Sequence, residues 1–294
     1  MNIEKQKHTR ERKEEQGQKI VVITGAASGL GREALEMLAR SDQVRLIVAV
    51  VRNSSLQDLA ASLEEQGIAS YVRLEAVDLA EPQSIDLLIG RLSDLPRVDV
   101  LINNAGLFMD RRESNSIGIE KQMMVNYFAP RRLTLGLWDL LLRSSRPRVL
   151  NLTSRLHRRG SIDLERFASQ TESQDSITYS GAAEYANSKL ALTAWTCGLA
   201  RRMGGRATLI SQHPGVYATG ITRRLAAPLR FLWNVFISDP EKGARFIVEA
   251  ALKPEIASGS YLDRDRLSRP AALALDQAFQ DKLEEATERL LPTT

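Results

Sequence analysis

Apolar residues along this chain gather in short aliphatic runs, and between the runs they recur every three or four positions. Strand-length runs alternating with helix-period stretches predict a βα-repeating chain built on a parallel sheet. Lys19 to Thr24 (KIVVIT) reads as the first buried strand, followed by a glycine-rich turn and a helix with Leu30, Ala34, Leu35 and Leu38 on one face. Arg45 to Val51 (RLIVAVV) is the second strand, and Ser55 to Gln66 a helix ending before Gly67. Ser70 to Val77 is the third strand, and Glu81 to Ser93 a helix with Pro82 in its first turn, where the missing N–H has no helical partner to lose. Val98 to Asn103 (VDVLIN) is the fourth strand, Asn126 to Leu142 a long helical region, and Arg148 to Thr153 (RVLNLT) the fifth strand. Ala183 to Met203 is a helix leading into Ala207 to Gln212, the sixth strand. Beyond it the pattern predicts a helix over Pro240 to Leu252, a last strand over Ser258 to Leu262, and an amphipathic terminal helix over Ala271 to Leu291. The expected fold is therefore α/β: one doubly wound domain over 19–294 with a parallel sheet of about seven strands.

Composition narrows the chemistry. The 294 residues are 43% hydrophobic and 26% charged, which excludes disorder, collagen and fibre. Forty basic against 36 acidic residues leave +4 spread over an enzyme-sized chain, which argues against a nucleic-acid partner. The single cysteine, Cys197, cannot close an internal disulfide, and His8, His157 and His213 show no zinc-binding spacing, so no metal site is expected. No run approaches the roughly 18 apolar residues of a spanning helix. Met1 to Gln18 mixes charges without the apolar region a secretory signal needs, and is expected to be a disordered extension. A cytoplasmic location is the default expectation.

The first turn reads Thr24-Gly25-Ala26-Ala27-Ser28-Gly29-Leu30-Gly31. Three glycines let the chain turn tightly and approach a ligand, and a phosphate there would meet backbone N–H groups at the positive end of a helix dipole. No lysine follows Gly31, so the spacing is not that of a nucleotide triphosphatase. A tight turn that needs glycine for steric reasons alone is the alternative. The second strand runs out as Val50-Val51-Arg52-Asn53. An acidic residue at that turn would bond ribose hydroxyls and repel a 2′-phosphate; Arg52 offers a fork of donors instead, which favours NADP(H) over NAD(H) unless Arg52 is a plain surface arginine. Asp78, past the third strand, also reads as a helix N-cap.

Further along lie Asn103-Asn104-Ala105-Gly106 after strand four, Asn126 in a helix, Ser154 at the end of strand five, and Tyr185-Ala186-Asn187-Ser188-Lys189. Taken with TGAASGLG and in this order, they closely resemble the short-chain dehydrogenase/reductase family, over about 19–262. The phrases at 149–154, 185–191 and 213–216 are similar to its retinol-dehydrogenase-like branch. The resemblance implies a Rossmann-type domain. It also implies a cofactor held by Gly25, Ser28, Gly29, Leu30, Gly31, Arg52, Asn53, Asp78, Leu79, Asn104, Ala105, Gly106, Tyr185, Lys189, Pro214, Gly215, Val216 and Thr219, with Thr219 at the nicotinamide carboxamide. Lys189 would also bind the nicotinamide ribose, and Asn126 would hold a water that relays protons to Lys189.

The residues make chemical sense of themselves as well. Tyr185 and Lys189, four apart on a helix, share a face, and an ammonium beside a phenol lowers the phenol's pKa from near 10 toward working range. A tyrosine so tuned exchanges a proton with a carbonyl or alcohol oxygen while hydride moves at carbon. Ser154 can hydrogen-bond the same oxygen and steady its developing charge. The expected catalytic set is therefore Asn126, Ser154, Tyr185 and Lys189, in an NADP(H)-dependent enzyme interconverting a lipophilic alcohol with an aldehyde or ketone. Reduction of a C=C bond in a large ring, or a non-catalytic NADP-binding sensor, are the alternatives.

His213 reads as structural, and Cys197 as core packing. Arg155, His157, Arg158 and Arg159 form either a solvated loop or a surface for anionic substrate or lipid. The polar stretch 169–176 is expected to overhang the site. The apolar patch 221–237, within a substrate loop at about 215–240, suits a lipophilic substrate, peripheral membrane contact, or packing onto the sheet or a partner subunit of a homo-oligomer.

Overall fold

A computed structural model of the chain describes residues 18–168, 179–215 and 239–292. The expectations for Met1 to Gly17, 169–176, Val216, Thr219 and 221–237 lie outside the described residues. The strands are β1 (Lys19–Thr24), β2 (Val44–Val51), β3 (Val72–Ala76), β4 (Val100–Asn103), β5 (Arg148–Leu152), β6 (Thr208–His213), β7 (Tyr261–Asp263) and β8 (Arg266–Ser268). The helices are α1 (Gly29–Ala39), α2 (Leu56–Glu65), α3 (Pro82–Leu92), α4 (Lys121–Met123), α5 (Ala129–Gly136), α6 (Trp138–Leu142), α7 (Leu164–Ala168), α8 (Gly181–Met203), α9 (Pro240–Leu252), α10 (Ala272–Leu275) and α11 (Gln277–Leu290).

The eight strands form one sheet in the order β3-β2-β1-β4-β5-β6-β7-β8. Pairing is parallel as far as β7. The order reverses between β1 and β4, and there the connections from the strand ends diverge to opposite faces, opening a crevice at the carboxyl edge. β8 is the departure from the expected all-parallel sheet: it returns antiparallel on β7 after a turn in which Arg264 takes φ 62°.

The strands are aliphatic on both sides because helices cover both. In β1, Ile20 and Val22 point into one core while Val21 and Ile23 point into the other. The second core is closed by α1, α2 and α9 through Leu35, Leu38, Leu59, Leu63 and Ile247, the first by α3, α5, α6, α8 and α11 through Ile85, Leu88, Leu133, Leu141, Trp195 and Leu283. Each of the larger aliphatic side chains contributes about 1.5–3 kcal/mol on burial.

Two expected helices are interrupted. The region 126–142 is not continuous: Met124–Phe128 forms a wide π turn between α4 and α5, and Leu137, at ψ 8°, separates α5 from α6. The terminal helix breaks at Asp276, which is extended at ψ 114° and whose carboxylate caps α11 by accepting from the Phe279 N–H at 3.0 Å. The third strand starts late because Ala69–Tyr71 close a 3-10 turn. α11 is tied back to the π turn and to α5: the Tyr127 hydroxyl meets that of Thr287 at 2.8 Å, and the buried Arg131 guanidinium donates to Glu284 at 2.7 Å.

Candidate active site

The turn after β1 and the segment after β4 are stitched together by the side chains that the strand ends deliver. Asn104 Nδ2 donates to the Thr24 carbonyl at 2.8 Å and to that of Gly25 at 3.2 Å, and the Ala105 N–H donates to Thr24 Oγ1 at 3.0 Å. The closeness explains two glycines. A Cβ on Gly31 would stand 2.3 Å from both Asn104 Nδ2 and the Gly25 carbonyl oxygen, and Gly25 itself takes φ 70°. Ser28, exposed, is the N-cap of α1, yet its side chain makes no capping hydrogen bond, so the first amides of α1 are not claimed by their own cap. That edge suits an anion such as a pyrophosphate. Leu30 is buried in the core, so only its main chain is available to a ligand.

Arg52 is exposed at the end of β2, and among the described residues its guanidinium has no partner; Asn53 beside it is exposed too. Asp78 is not the N-cap of α3, a position Glu81 occupies; it accepts instead from the Ala80 N–H at 2.9 Å and holds the turn after β3. Leu79 is partly buried against the core. The uncapped helix start and the glycine cradle together fit a nicotinamide dinucleotide.

α8 begins at Ser180, whose hydroxyl caps the Ala183 N–H, carries Glu184 in its first turn, and stops at Gly204 in the left-handed region, φ 54°. It delivers Tyr185 and Lys189 to the end of β5. Lys189 is 3% exposed; its Nζ donates to the Leu152 carbonyl at 2.9 Å and lies 5.8 Å from the centre of the Tyr185 ring. Ser154 stands two residues past the end of β5; its hydroxyl accepts from the Leu156 N–H at 3.2 Å and lies close enough to Tyr185 to favour the phenolate. Burial pushes Tyr185 up to about 12, with the Ser154 hydrogen bond pulling the other way, and brings Lys189 down to about 7. Burial thus works against the lowering of the phenol's pKa that the Tyr/Lys spacing predicts.

Asn126, fully buried in the π turn, is occupied on all sides but one. Its Oδ1 accepts from the Leu107 N–H at 2.8 Å, and its Nδ2 donates to the Leu107 carbonyl at 2.8 Å and to Ser188 Oγ at 3.0 Å. Ser188 in turn donates to the Tyr185 carbonyl at 2.9 Å. Asn126 therefore ties the segment after Gly106 to the helix of the Tyr/Lys pair, and does not itself touch Lys189. Pro214 and Gly215, the latter at φ 120°, leave β6 on the same edge.

The sequence reading passed over Phe108, whose ring meets Tyr185 edge-on at 5.9 Å, and Ser188, whose place between Tyr185 and Lys189 was the only available signal. His213 is buried, and desolvation brings its pKa down to about 4. Cys197 is buried, which agrees with packing. In the basic cluster after Ser154, Arg155, Arg158 and Arg159 are exposed and His157 is buried; Arg155 pairs with Asp263 at 2.7 Å, and Arg158 donates to the Arg269 carbonyl at 2.6 Å.

A family model described as short chain dehydrogenase matches residues 19–170. The chain belongs to the short-chain dehydrogenase family. This short-chain dehydrogenase is 30% identical over 286 residues to retinol dehydrogenase 13 of Homo sapiens, spanning 93% of this chain and 84% of the relative. It is 31% identical over 290 residues to retinol dehydrogenase 14 of Mus musculus, with 92% and 85% covered. Among solved structures, a putative uncharacterized protein from Mycobacterium Paratuberculosis superposes with a TM-score of 0.74 at 27% identity, covering 94% of each chain. The protein is thus an oxidoreductase-family member related to retinol dehydrogenases. Among the described residues, no helix of this short-chain dehydrogenase is long and apolar enough to cross a membrane.

Proposed function

We propose that this short-chain dehydrogenase is an NADP(H)-dependent oxidoreductase that interconverts a lipophilic alcohol with its aldehyde or ketone, with Tyr185 as the proton donor and acceptor. The observation that carries it is the meeting of Ser154, Tyr185 and Lys189 at the carboxyl edge of the sheet, beside a glycine cradle and an Arg52 whose side chain has no partner among the described residues. The bound nicotinamide would supply or accept the hydride at the substrate carbon. Tyr185, a phenol protonated at neutral pH, donates its proton to the carbonyl oxygen in the reductive direction. Ser154 donates a hydrogen bond to the same oxygen, where negative charge develops. Lys189, in its charged form, favours the phenolate as it forms and returns the proton. Asn126 and Ser188 fix α8 against the segment after Gly106, so that the phenol and the cofactor edge keep one geometry.

Kinship with retinol dehydrogenases supports a large apolar substrate of retinoid type. The test is consumption of NADPH and NADH by the purified protein with all-trans-retinal, decanal and a 3-ketosteroid, with Tyr185→Phe alongside. Turnover with NADPH, lost by about 100-fold or more in Tyr185→Phe while NADPH affinity changes little, is the expected result. Retained activity in that variant, or no turnover of any carbonyl despite tight NADPH binding, overturns the reading.

A further inference from the structure

His157 is fully buried three residues beyond Ser154, in the 3-10 turn Arg155–Arg159 that leaves β5. Both ring nitrogens are engaged. The Ala271 N–H donates to Nε2 at 3.0 Å, and Nδ1 lies 2.6 Å from the Ser154 carbonyl oxygen. An amide N–H can only donate, so Nε2 carries the lone pair, and Nδ1 carries the hydrogen that it gives to Ser154. Two acceptor and donor demands on opposite sides are met by one neutral tautomer. The ring is also held by packing, 4.9 Å from that of Tyr261 in β7, and desolvation lowers its pKa and so favours that uncharged form.

The surroundings make this turn a wedge. On one side Gly160 closes so tightly on α8 that a Cβ there would stand 2.7 Å from the Ala186 carbonyl oxygen, one residue beyond Tyr185. On the other, Arg155 pairs with Asp263 of β7, and Arg158 reaches the Arg269 carbonyl. The Ser154 carbonyl also accepts the His157 main-chain N–H at 3.0 Å, so its orientation is fixed twice by one residue. The Ser154 hydroxyl accepts from the Leu156 N–H at 3.2 Å within this same turn, so the hydroxyl is held in place by the turn that His157 anchors.

We propose that His157 is a positioning residue for Ser154: a neutral imidazole strut that ties the main chain behind the serine hydroxyl to the start of the C-terminal segment at Ala271. The proposal rests on Ser154 being the hydroxyl that steadies the substrate oxygen, and its test separates the two ideas. kcat and KM are measured for the full chain, with NADPH and the fastest of all-trans-retinal, decanal and a 3-ketosteroid, in wild type, Ser154→Ala, His157→Ala and the double variant.

Ser154→Ala is expected to lose about 100-fold in kcat. His157→Ala is expected to lose about tenfold in kcat, with KM for NADPH within about twofold, because the serine is displaced and the cofactor edge is not. In the Ser154→Ala background the same change should cost nothing further. His157→Asn, whose Nδ2 can occupy the place of Nδ1, is expected to recover part of the loss. If His157→Ala does not fold, His157→Phe keeps the ring against Tyr261 and takes its place in the cycle. An equal loss from the histidine variant in both backgrounds, wild-type kcat in the single variant, or failure of all three variants to fold would overturn the proposal. An undiminished kcat in Ser154→Ala would instead overturn the role given to the serine.

Discussion

Replacing Asn126 by alanine removes three hydrogen bonds from a fully buried position: one accepted from the Leu107 N–H, one given to the Leu107 carbonyl, and one given to Ser188. Each is worth about 0.5–1.5 kcal/mol net, and a main-chain group left without a partner costs about 1–3 kcal/mol. Leu107 is only partly buried, so water would satisfy some of its lost bonding, and the expected loss is about 2–4 kcal/mol. At about 2–4 °C per kcal/mol for a domain of this size, Tm should fall by roughly 4–16 °C. Asn126→Asp should cost at least as much, because it sets a carboxylate oxygen against the Leu107 carbonyl. The assay is thermal and urea unfolding of the cofactor-free protein. A loss under about 1 kcal/mol in Asn126→Ala would show that the amide does not hold this segment. Because Phe108, the next residue, meets the Tyr185 ring, kcat should fall together with stability.

Arg52→Asp should reduce kcat/KM with NADPH by about 10- to 100-fold relative to NADH, the loss of one charge-assisted phosphate contact; an unchanged NADPH-to-NADH ratio would remove the basis for the cofactor choice. The stability of the cofactor-free protein should rise with pH through the Lys189 titration. Its pKa is about 7 folded against 10.5 unfolded, so the penalty of burying it is complete below pH 7 and gone above about pH 10.5. Lys189→Met should therefore gain on wild type more at pH 6 than at pH 9.5 in urea unfolding, and a pH-independent difference would count against the lowered pKa.

The strand runs, the glycine turn and the Tyr/Lys pair were legible because each is a local pattern whose meaning does not depend on distant residues. KIVVIT is apolar at every second position on both registers, which only a strand covered on both faces tolerates. The π turn was not legible, because Met124–Phe128 has ordinary helical composition, and its extra width is set by what Asn126 must reach on Leu107 and α8. Asp276 carried a signal that was passed over: an N-cap residue ahead of Phe279 inside an apparently continuous helix. The partners that Arg155 and Arg158 find, Asp263 and the Arg269 carbonyl, were not legible because they lie over 100 positions away in sequence. The phenol's pKa misled for another reason. Spacing shows that Lys189 is near Tyr185, but not that the ammonium itself is buried.

The bond between Tyr127 and Thr287 closes across 160 residues of chain. Tyr127 sits beside Asn126, so the turn that anchors the Tyr/Lys helix is completed by a segment the ribosome makes much later. The dinucleotide-binding half can pair its strands as it emerges, but the reactive half must wait for α11, and in that interval the face of α8 that α11 will cover stands bare. Closing such distant contacts is slow, and exposed apolar surface invites association with other chains. Synthesis of this protein thus has a vulnerable period that ends only when its late helix docks, and variants that weaken Arg131 or Thr287 should show lowered soluble yield before they show lowered activity.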